Sequence, residues 1–455
     1  MKKTDNIYDV VVIGAGLSGL TAAYQLQNLN YNVIVLEAKS RIGGRLFSQK
    51  IPGGVVDAGG SWVGPQQTAL LALLRELHIS TWPQYTKGKH VLIWNNKRKT
   101  FTGEIPPLSL FSYIDIAVTM MRLNRMAKQL IGIEAWKHKN AHTLDHQTLG
   151  EWLIQHTHTK GARFLFDLAT AASFGCKSDE LSLLGFLVHV ASAGNLQTLI
   201  GVKGAALDGH IVGGSASLCQ ILADKMINKI HCNTAVTEIN QTDIDVTIKT
   251  TDGIFTAKKI ILAMDPVLAS KIDHKPSLPP ERTALEQNYR MGNGIKAHVV
   301  YSTPFWRKKN LSGESYVNTG LVPITFDVTP PNTTVGILTC FMGQAACDDP
   351  KYFETNYREK RKQRVIQELV ERFGHEAASP IEYLEQDWSQ ERYHSGCLPM
   401  PGPGVLTTAQ DSFTKPFGNI HFAGAETSPI WEGHMDGAVR SAERVVKEVK
   451  KELDN

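Results

Sequence analysis

Val10-Val11-Val12-Ile13-Gly14-Ala15-Gly16-Leu17-Ser18-Gly19, then Leu20 to Leu26, then Val33-Ile34-Val35-Leu36-Glu37, is the stretch that decides the fold. Four consecutive β-branched residues predict a short strand buried on both faces. The apolar spacing from Leu20 to Leu26 predicts a helix, and Val33 to Leu36 a second buried strand. Strand, glycine turn, helix and strand in this order form a unit that binds a dinucleotide. Gly14 permits the tight turn, Gly16 lets backbone approach a pyrophosphate, and Gly19 lets helix and strand pack closely. The helix start offers free N–H groups and a positive dipole end to phosphates. Glu37, 23 positions after Gly14, stands where a carboxylate can bind both ribose hydroxyls and would repel a 2′-phosphate. A lone glycine pattern would equally be a loop without ligand; here every flanking element agrees.

Outward from that unit come Arg41-Ile42-Gly43-Gly44-Arg45 and Asp57-Ala58-Gly59-Gly60-Ser61-Trp62. Two glycine pairs suggest a second close backbone approach to the cofactor, with two arginines to meet its charge. Taken alone, the same residues are also a glycine turn with two solvated arginines.

The bulk composition narrows the partners. With 48 basic and 44 acidic residues the net charge is +4, too balanced to imply nucleic acid or a membrane surface. Cys176, Cys219, Cys232, Cys340, Cys347 and Cys397 are scattered, so neither a disulfide framework nor a metal site is expected, and a reducing, cytoplasmic setting fits. Lys2 and Lys3 before an apolar run resemble a leader, but Asp5 and Asp9 interrupt that order. No run of apolar residues is long enough to predict a membrane span, and the C-terminus reads as a charged helix end.

Further along, Pro106-Pro107 marks a break. Beyond it Tyr113, Ile116, Ala117, Met120, Leu123, Ala127, Leu130 and Ile131 recur at helical spacing and read as core. Mostly helical sequence continues to about residue 192. Ile244, Val246 and Ile248 alternate before Asp252-Gly253, which predicts a hairpin with one wet face. Ile260 to Ala263 and Ile420 to Gly424 read as buried strands, the latter entering a glycine turn of the kind that binds ligands. Residues 357–373 read as a charged surface helix. Neither an internal repeat nor a low-complexity segment is present.

Several later motifs resemble the flavin amine oxidase family, closest to soluble, bacterial-type monoamine oxidases. They are Gly59-Gly60-Ser61-Trp62-Val63-Gly64-Pro65, Val212-Gly213-Gly214-Ser215, Ile295-Lys296 with Pro304-Phe305-Trp306-Arg307, and Trp388, Tyr393 and Gly396-Cys397. Phe422-Ala423-Gly424-Ala425-Glu426-Thr427 and Trp431-Glu432-Gly433-His434-Met435-Asp436-Gly437-Ala438 complete the series. The resemblance spans nearly the whole chain. It implies an α/β fold: a Rossmann-type FAD-binding domain of the p-hydroxybenzoate-hydroxylase kind, with an inserted α+β substrate domain. The implied division is 1–85, 205–285 and 390–455 for FAD, and 86–204 and 286–389 for substrate.

The implied cofactor is FAD. Its expected contacts are Gly14, Gly16, Ser18, Gly19, Glu37, Ala38, Arg41, Gly44, Arg45, Gly59, Gly60, Ser61, Trp62 and Val236, then Cys397, Gly424, Glu426, Gly433, His434 and Met435. Lys296 is the expected catalytic residue, matching a lysine that holds a water near the flavin; a lysine between apolar strand residues otherwise reads as a snorkelling surface residue. Cys397 falls where monoamine oxidases carry a thioether to the ring, and a small buried hydrophobe is the alternative. Leu207, Trp388, Leu398 and His434 are the expected substrate pocket. Leu398 and His434 replace two tyrosines that flank the amine in monoamine oxidases, and Leu207 aligns near a family glutamine, so the pocket departs from the pattern.

The reaction implied is oxidation of a neutral amine to an imine, which hydrolyses to an aldehyde or ketone while dioxygen becomes hydrogen peroxide. The partners are a small-molecule amine and dioxygen, with a homodimer entertained. An L-amino acid oxidase or desaturase of the same superfamily is the first rival; a pocket arginine would favour the amino acid. A flavin-binding protein without turnover is the second. The C-terminal flavin motif speaks against a nicotinamide dehydrogenase.

Overall fold

The computed structural model describes residues 2–227, 230–343 and 349–454, so Cys347 lies outside the described residues. The opening unit folds as its sequence predicts. Strand β1 (Lys2–Ile13), helix α1 (Leu17–Asn28) and strand β2 (Val33–Leu36) follow in order. β1 pairs in parallel with β2, Val10 to Ile13 against Val33 to Leu36. Val10, Val11 and Val12 are fully buried, which is why this run carries no polar alternation.

β1 lies inside an eight-stranded sheet. On its other side runs Gly253–Ala263, also parallel to it. The N-terminal half of Gly253–Ala263 pairs with Val246–Thr250 in the predicted hairpin, and its C-terminal end pairs in parallel with Ile420–Ala423. Val246 and Ile248 point into the core, whereas Ile244 sits in the preceding turn, 84% exposed, and is not part of the alternation. α1 and the C-terminal helix Met435–Leu453 cover one face; Leu20, Ala23 and Leu26 meet Val439, Ala442 and Val446 there.

A second, seven-stranded sheet runs in the order Glu382–Asp387, Ile295–Tyr301, Gly336–Met342, Ile324–Asp327, Leu311–Val317, Lys89–Trp94, Lys97–Phe101. Its pairs are antiparallel except Leu311–Val317 with Lys89–Trp94. Ile295–Tyr301 is buried along its whole length. The helix Arg358–Phe373 packs on this sheet, and it differs from the surface helix expected. Arg361, Glu368 and Arg372 are all buried. Glu368 accepts hydrogen bonds from the backbone N–H groups of Leu321 and Val322 and from Arg372, and Arg361 pairs with Glu385. Burial of these charges is tolerated because each is paired.

The helices Leu110–Lys128, Leu149–His156, Lys160–Phe174 and Leu183–Ser192 pack on one another. The stripe on Leu110–Lys128 is only partly core. Leu123, Ala127 and Leu130 are buried in a helical cluster, Tyr113, Ile116, Ala117 and Met120 line a large cavity, and Ile131 is exposed. No helix among the described residues is long and apolar enough to cross a membrane.

Candidate active site

One cavity of about 1360 Å³ runs from the opening glycine turn to the seven-stranded sheet. At its first end α1 begins at Gly16 with no side-chain cap and no acidic residue in its first turn, so its N–H groups face the cavity uncompensated. Gly14 has φ +105, and a Cβ there would lie 2.7 Å from the Ala263 carbonyl. A Cβ on Gly16 would meet nothing nearer than Gly44 Cα at 3.9 Å, so the space above it is open. Gly19 does not line the cavity; a Cβ there would lie 2.0 Å from the Gly14 carbonyl, so it serves helix-to-strand packing. Glu37 accepts from the backbone N–H groups of Ala15 (2.8 Å) and Lys39 (2.9 Å) and borders the cavity with Ala38 and Val236. Burial raises its pKa, and those two hydrogen bonds oppose the rise.

The arginines divide their work. Arg45 lines the cavity and pairs with Glu426 at 2.6 Å. Burial opposes its charge, but Glu426 more than offsets this and raises its pKa. The Glu426 carboxylate is thus turned to Arg45 and does not line the cavity. Arg41 stacks on Phe47 and donates to the Ile42 and Gly44 carbonyls at 3.3 and 3.0 Å, bracing the Gly43-Gly44 turn from behind.

Lys296 stands midway along the cavity. It is 6% exposed, which overturns the snorkelling alternative. Its Nζ donates to the Gly59 carbonyl (2.9 Å) and to Ser61 Oγ (2.5 Å), and lies 5.0 Å from the Trp62 ring centroid. Burial pushes its pKa down to about 8, with Asp57 opposing. Asp57 is itself fixed by Ser48 and by the Ser215 N–H and hydroxyl. Trp388 lies on the same layer: its indole donates to the Ala58 carbonyl, and it packs directly behind Gly59. Cys397 lines the cavity beside Leu398; its thiol donates to the Gly292 carbonyl at 3.3 Å, and burial pushes its pKa up to about 11 against the pull of Arg45.

Beyond Lys296 the walls turn apolar. Leu207 joins Trp62, Phe326, Phe341 and Leu168. Met435 opens the C-terminal helix at an N-cap lacking a side-chain bond, leaving first-turn N–H groups toward the cavity. His434 donates from Nδ1 to the Glu432 carbonyl at 2.8 Å, so its Nε2 is an acceptor. It stacks on His189, ring centroids 5.3 Å apart. Burial pushes both imidazoles down to about 4, and for His434 the neighbouring His189 adds to this.

Residues 17–450 match the family model described as flavin containing amine oxidoreductase. The chain belongs to that family. The flavin-containing monoamine oxidase AofH of Mycobacterium tuberculosis is 35% identical over 443 residues, covering 97% of this chain and 96% of that protein. A solved structure of putrescine oxidase with putrescine bound superposes with a TM-score of 0.93 at 29% identity, covering 99% of this chain and all of the other. Cyclohexylamine oxidase from Brevibacterium oxydans gives 0.94 at 28% identity, with the same coverage.

This flavin amine oxidoreductase is therefore an FAD enzyme that oxidises an amine. The fit to FAD is visible in its own residues: an open glycine cradle, an uncapped helix start, a carboxylate at Glu37 beside the glycine turn and a half-buried cation at Arg45. Apart from Gly19, Arg41 and Glu426, the residues singled out from sequence all border the one cavity. His189 was missed. It stands in Leu183–Ser192, LLGFLVHVAS, where a single histidine among apolar residues reads as core. Its Nδ1 has no hydrogen-bond partner among the described residues and lies 3.8 Å from Glu432. Glu314 and Tyr316 were missed too, for they alternate in an ordinary-looking strand.

Proposed function

We propose that the cavity takes an unprotonated amine with its α-carbon on the Lys296 layer and its substituent toward Leu207, Phe326 and Phe341. FAD, when bound, accepts two electrons and a hydrogen from the amine and passes the electrons to dioxygen, giving an imine and hydrogen peroxide. The protein's own groups orient and polarise. Lys296, held by Gly59 and Ser61, positions water or dioxygen and stabilises the negative charge that dioxygen acquires. Neutral His434 and His189 flank the amine in place of an aromatic cage and leave it free to shed its proton before reaction. The apolar walls exclude water and favour the neutral amine.

The observation that carries this reading is the buried ammonium at the seam between the glycine pair and the apolar half. An amino acid substrate would need a cation for its carboxylate. Among the described residues the arginines lining the cavity are Arg45, already paired with Glu426, and Arg392, which is exposed at the surface and lies over the Tyr393 ring; with neither buried and free for a carboxylate, the lining supports an amine. The membership of the two sheets supports the division into 1–85, 205–285 and 390–455 for FAD and 86–204 and 286–389 for substrate. The described cysteines are free thiols, which supports a cytoplasmic location.

The test is the flavin spectrum under anaerobic conditions while amines and L-amino acids are added in turn. Bleaching by an amine, reversed by air with release of peroxide, is expected. Bleaching by amino acids alone would replace the reading.

A further inference from the structure

The far wall of the cavity is laid out by strand register. Lys296 faces Phe341, Phe341 faces Ile324, and Ile324 faces Tyr316, each pair directly opposed across neighbouring antiparallel strands. Directly opposed residues send their side chains to the same face, and all four line the cavity. Three strand spacings, roughly 14 Å, separate the first from the last. Glu314 lies two residues from Tyr316 on the same face and also lines the cavity. Its side chain is buried; the carboxylate accepts from the Tyr316 hydroxyl through Oε1 and holds Oε2 at 3.3 Å from His90 Nδ1.

A buried carboxylate is costly in an apolar wall, where leucine or methionine would pack without penalty. Burial raises the Glu314 pKa, His90 and Tyr316 oppose the rise, and nearby Glu104 adds to it. A ligand cation would remove that penalty. Between Lys296 and Glu314 the floor is Phe341, Ile324 and Phe326, which suits a methylene chain. We propose that Glu314, with Tyr316 and His90, is a distal cation subsite that takes the second ammonium of a long α,ω-diamine or linear polyamine whose first amino group is oxidised at the Lys296 end. This rests on the amine-oxidising reading above and adds the substrate class.

The experiment compares peroxide release from α,ω-diamines, diaminobutane to diaminododecane, with n-alkylamines of matching length. The kcat/KM ratio of diamine to alkylamine should reach a maximum among the longer chains, about ten- to a hundredfold, carried mainly by KM. Glu314→Gln should flatten that maximum. A flat ratio in the unaltered enzyme, or a maximum that survives Glu314→Gln, overturns the subsite. Should the variant fail to bind FAD, inhibition of the unaltered enzyme decides. Long bis(trimethylammonium)alkanes should compete with the amine better than alkyltrimethylammonium ions of equal length, and equal inhibition overturns the proposal. Oxidation of alkylamines with a flat ratio would defeat the subsite alone, whereas no oxidation of either series would defeat the amine reading and the subsite together.

Discussion

Lys296 hydrogen-bonds a carbonyl and a hydroxyl rather than a carboxylate. Desolvation therefore outweighs its pairing, and the ammonium is poised to act on charge that develops during reaction. Replacing it by methionine keeps length and removes charge. Lys296→Met should leave anaerobic bleaching by an amine within a few-fold of the unaltered rate. It should lower kcat/KM for dioxygen by about 10²–10³, the scale for losing one preorganised electrostatic contact. Stopped-flow measurement of the two half-reactions separates these; an equal loss in both would contradict the assignment. The lysine was legible from its flanking motif, but its burial was not, because a lysine between apolar residues is the usual pattern of a strand edge. His189 carried no local signal at all. Only packing of Leu183–Ser192 against the turn at His434 brings the two rings together.

At the scale of elements, the opening strand, helix and strand were legible because their patterns answer to one local requirement, a buried parallel strand meeting a phosphate-binding turn. Gly19 shows how tight that requirement is. Gly19→Ala would force a methyl to within 2.0 Å of the Gly14 carbonyl, and overpacking of this kind costs about 1–3 kcal/mol. The expected outcome is a protein that purifies with sub-stoichiometric FAD and a lower denaturant midpoint. The helix Arg358–Phe373 was legible as a helix but not as a buried one. Its sequence, REKRKQRVIQELVERF, is rich in charge, and the groups that satisfy Arg361 and Glu368 lie on other elements: Glu385 and the Leu321-Val322 backbone. Glu368→Ala would leave Arg372 buried beside two unsatisfied N–H groups. A loss of about 3–5 kcal/mol is expected, read from urea unfolding. A change below about 0.5 kcal/mol, the range of ordinary surface substitutions, would mean the network is solvated after all.

For the whole molecule, the cavity joins two sheets whose strands come from distant parts of the chain, so its polar and apolar halves were not readable from any one segment. That division also sets the response to pH, through groups that sit on different elements. The amine must arrive neutral; an alkyl amine with a pKa near that of lysine, about 10.4, becomes roughly tenfold more neutral per pH unit below it. His434 and His189, pushed down to about 4, stay neutral throughout and add no inflection near the ordinary histidine value. Hence kcat/KM for the amine should climb with pH without a histidine step. Lys296 runs the other way. Its folded pKa is depressed to about 8, so its charge is present below that value and is lost as pH rises through it. The value of kcat/KM for dioxygen should therefore fall above about pH 8. Glu432, raised by burial to about 8, titrates in the same window, and Lys296→Met distinguishes the two. If Lys296 is responsible, the variant's low dioxygen rate is flat across that window. A fall that persists in the variant would assign the pH effect to Glu432, and would move the electrostatic control of the reaction from the glycine pair to the histidine side of the cavity.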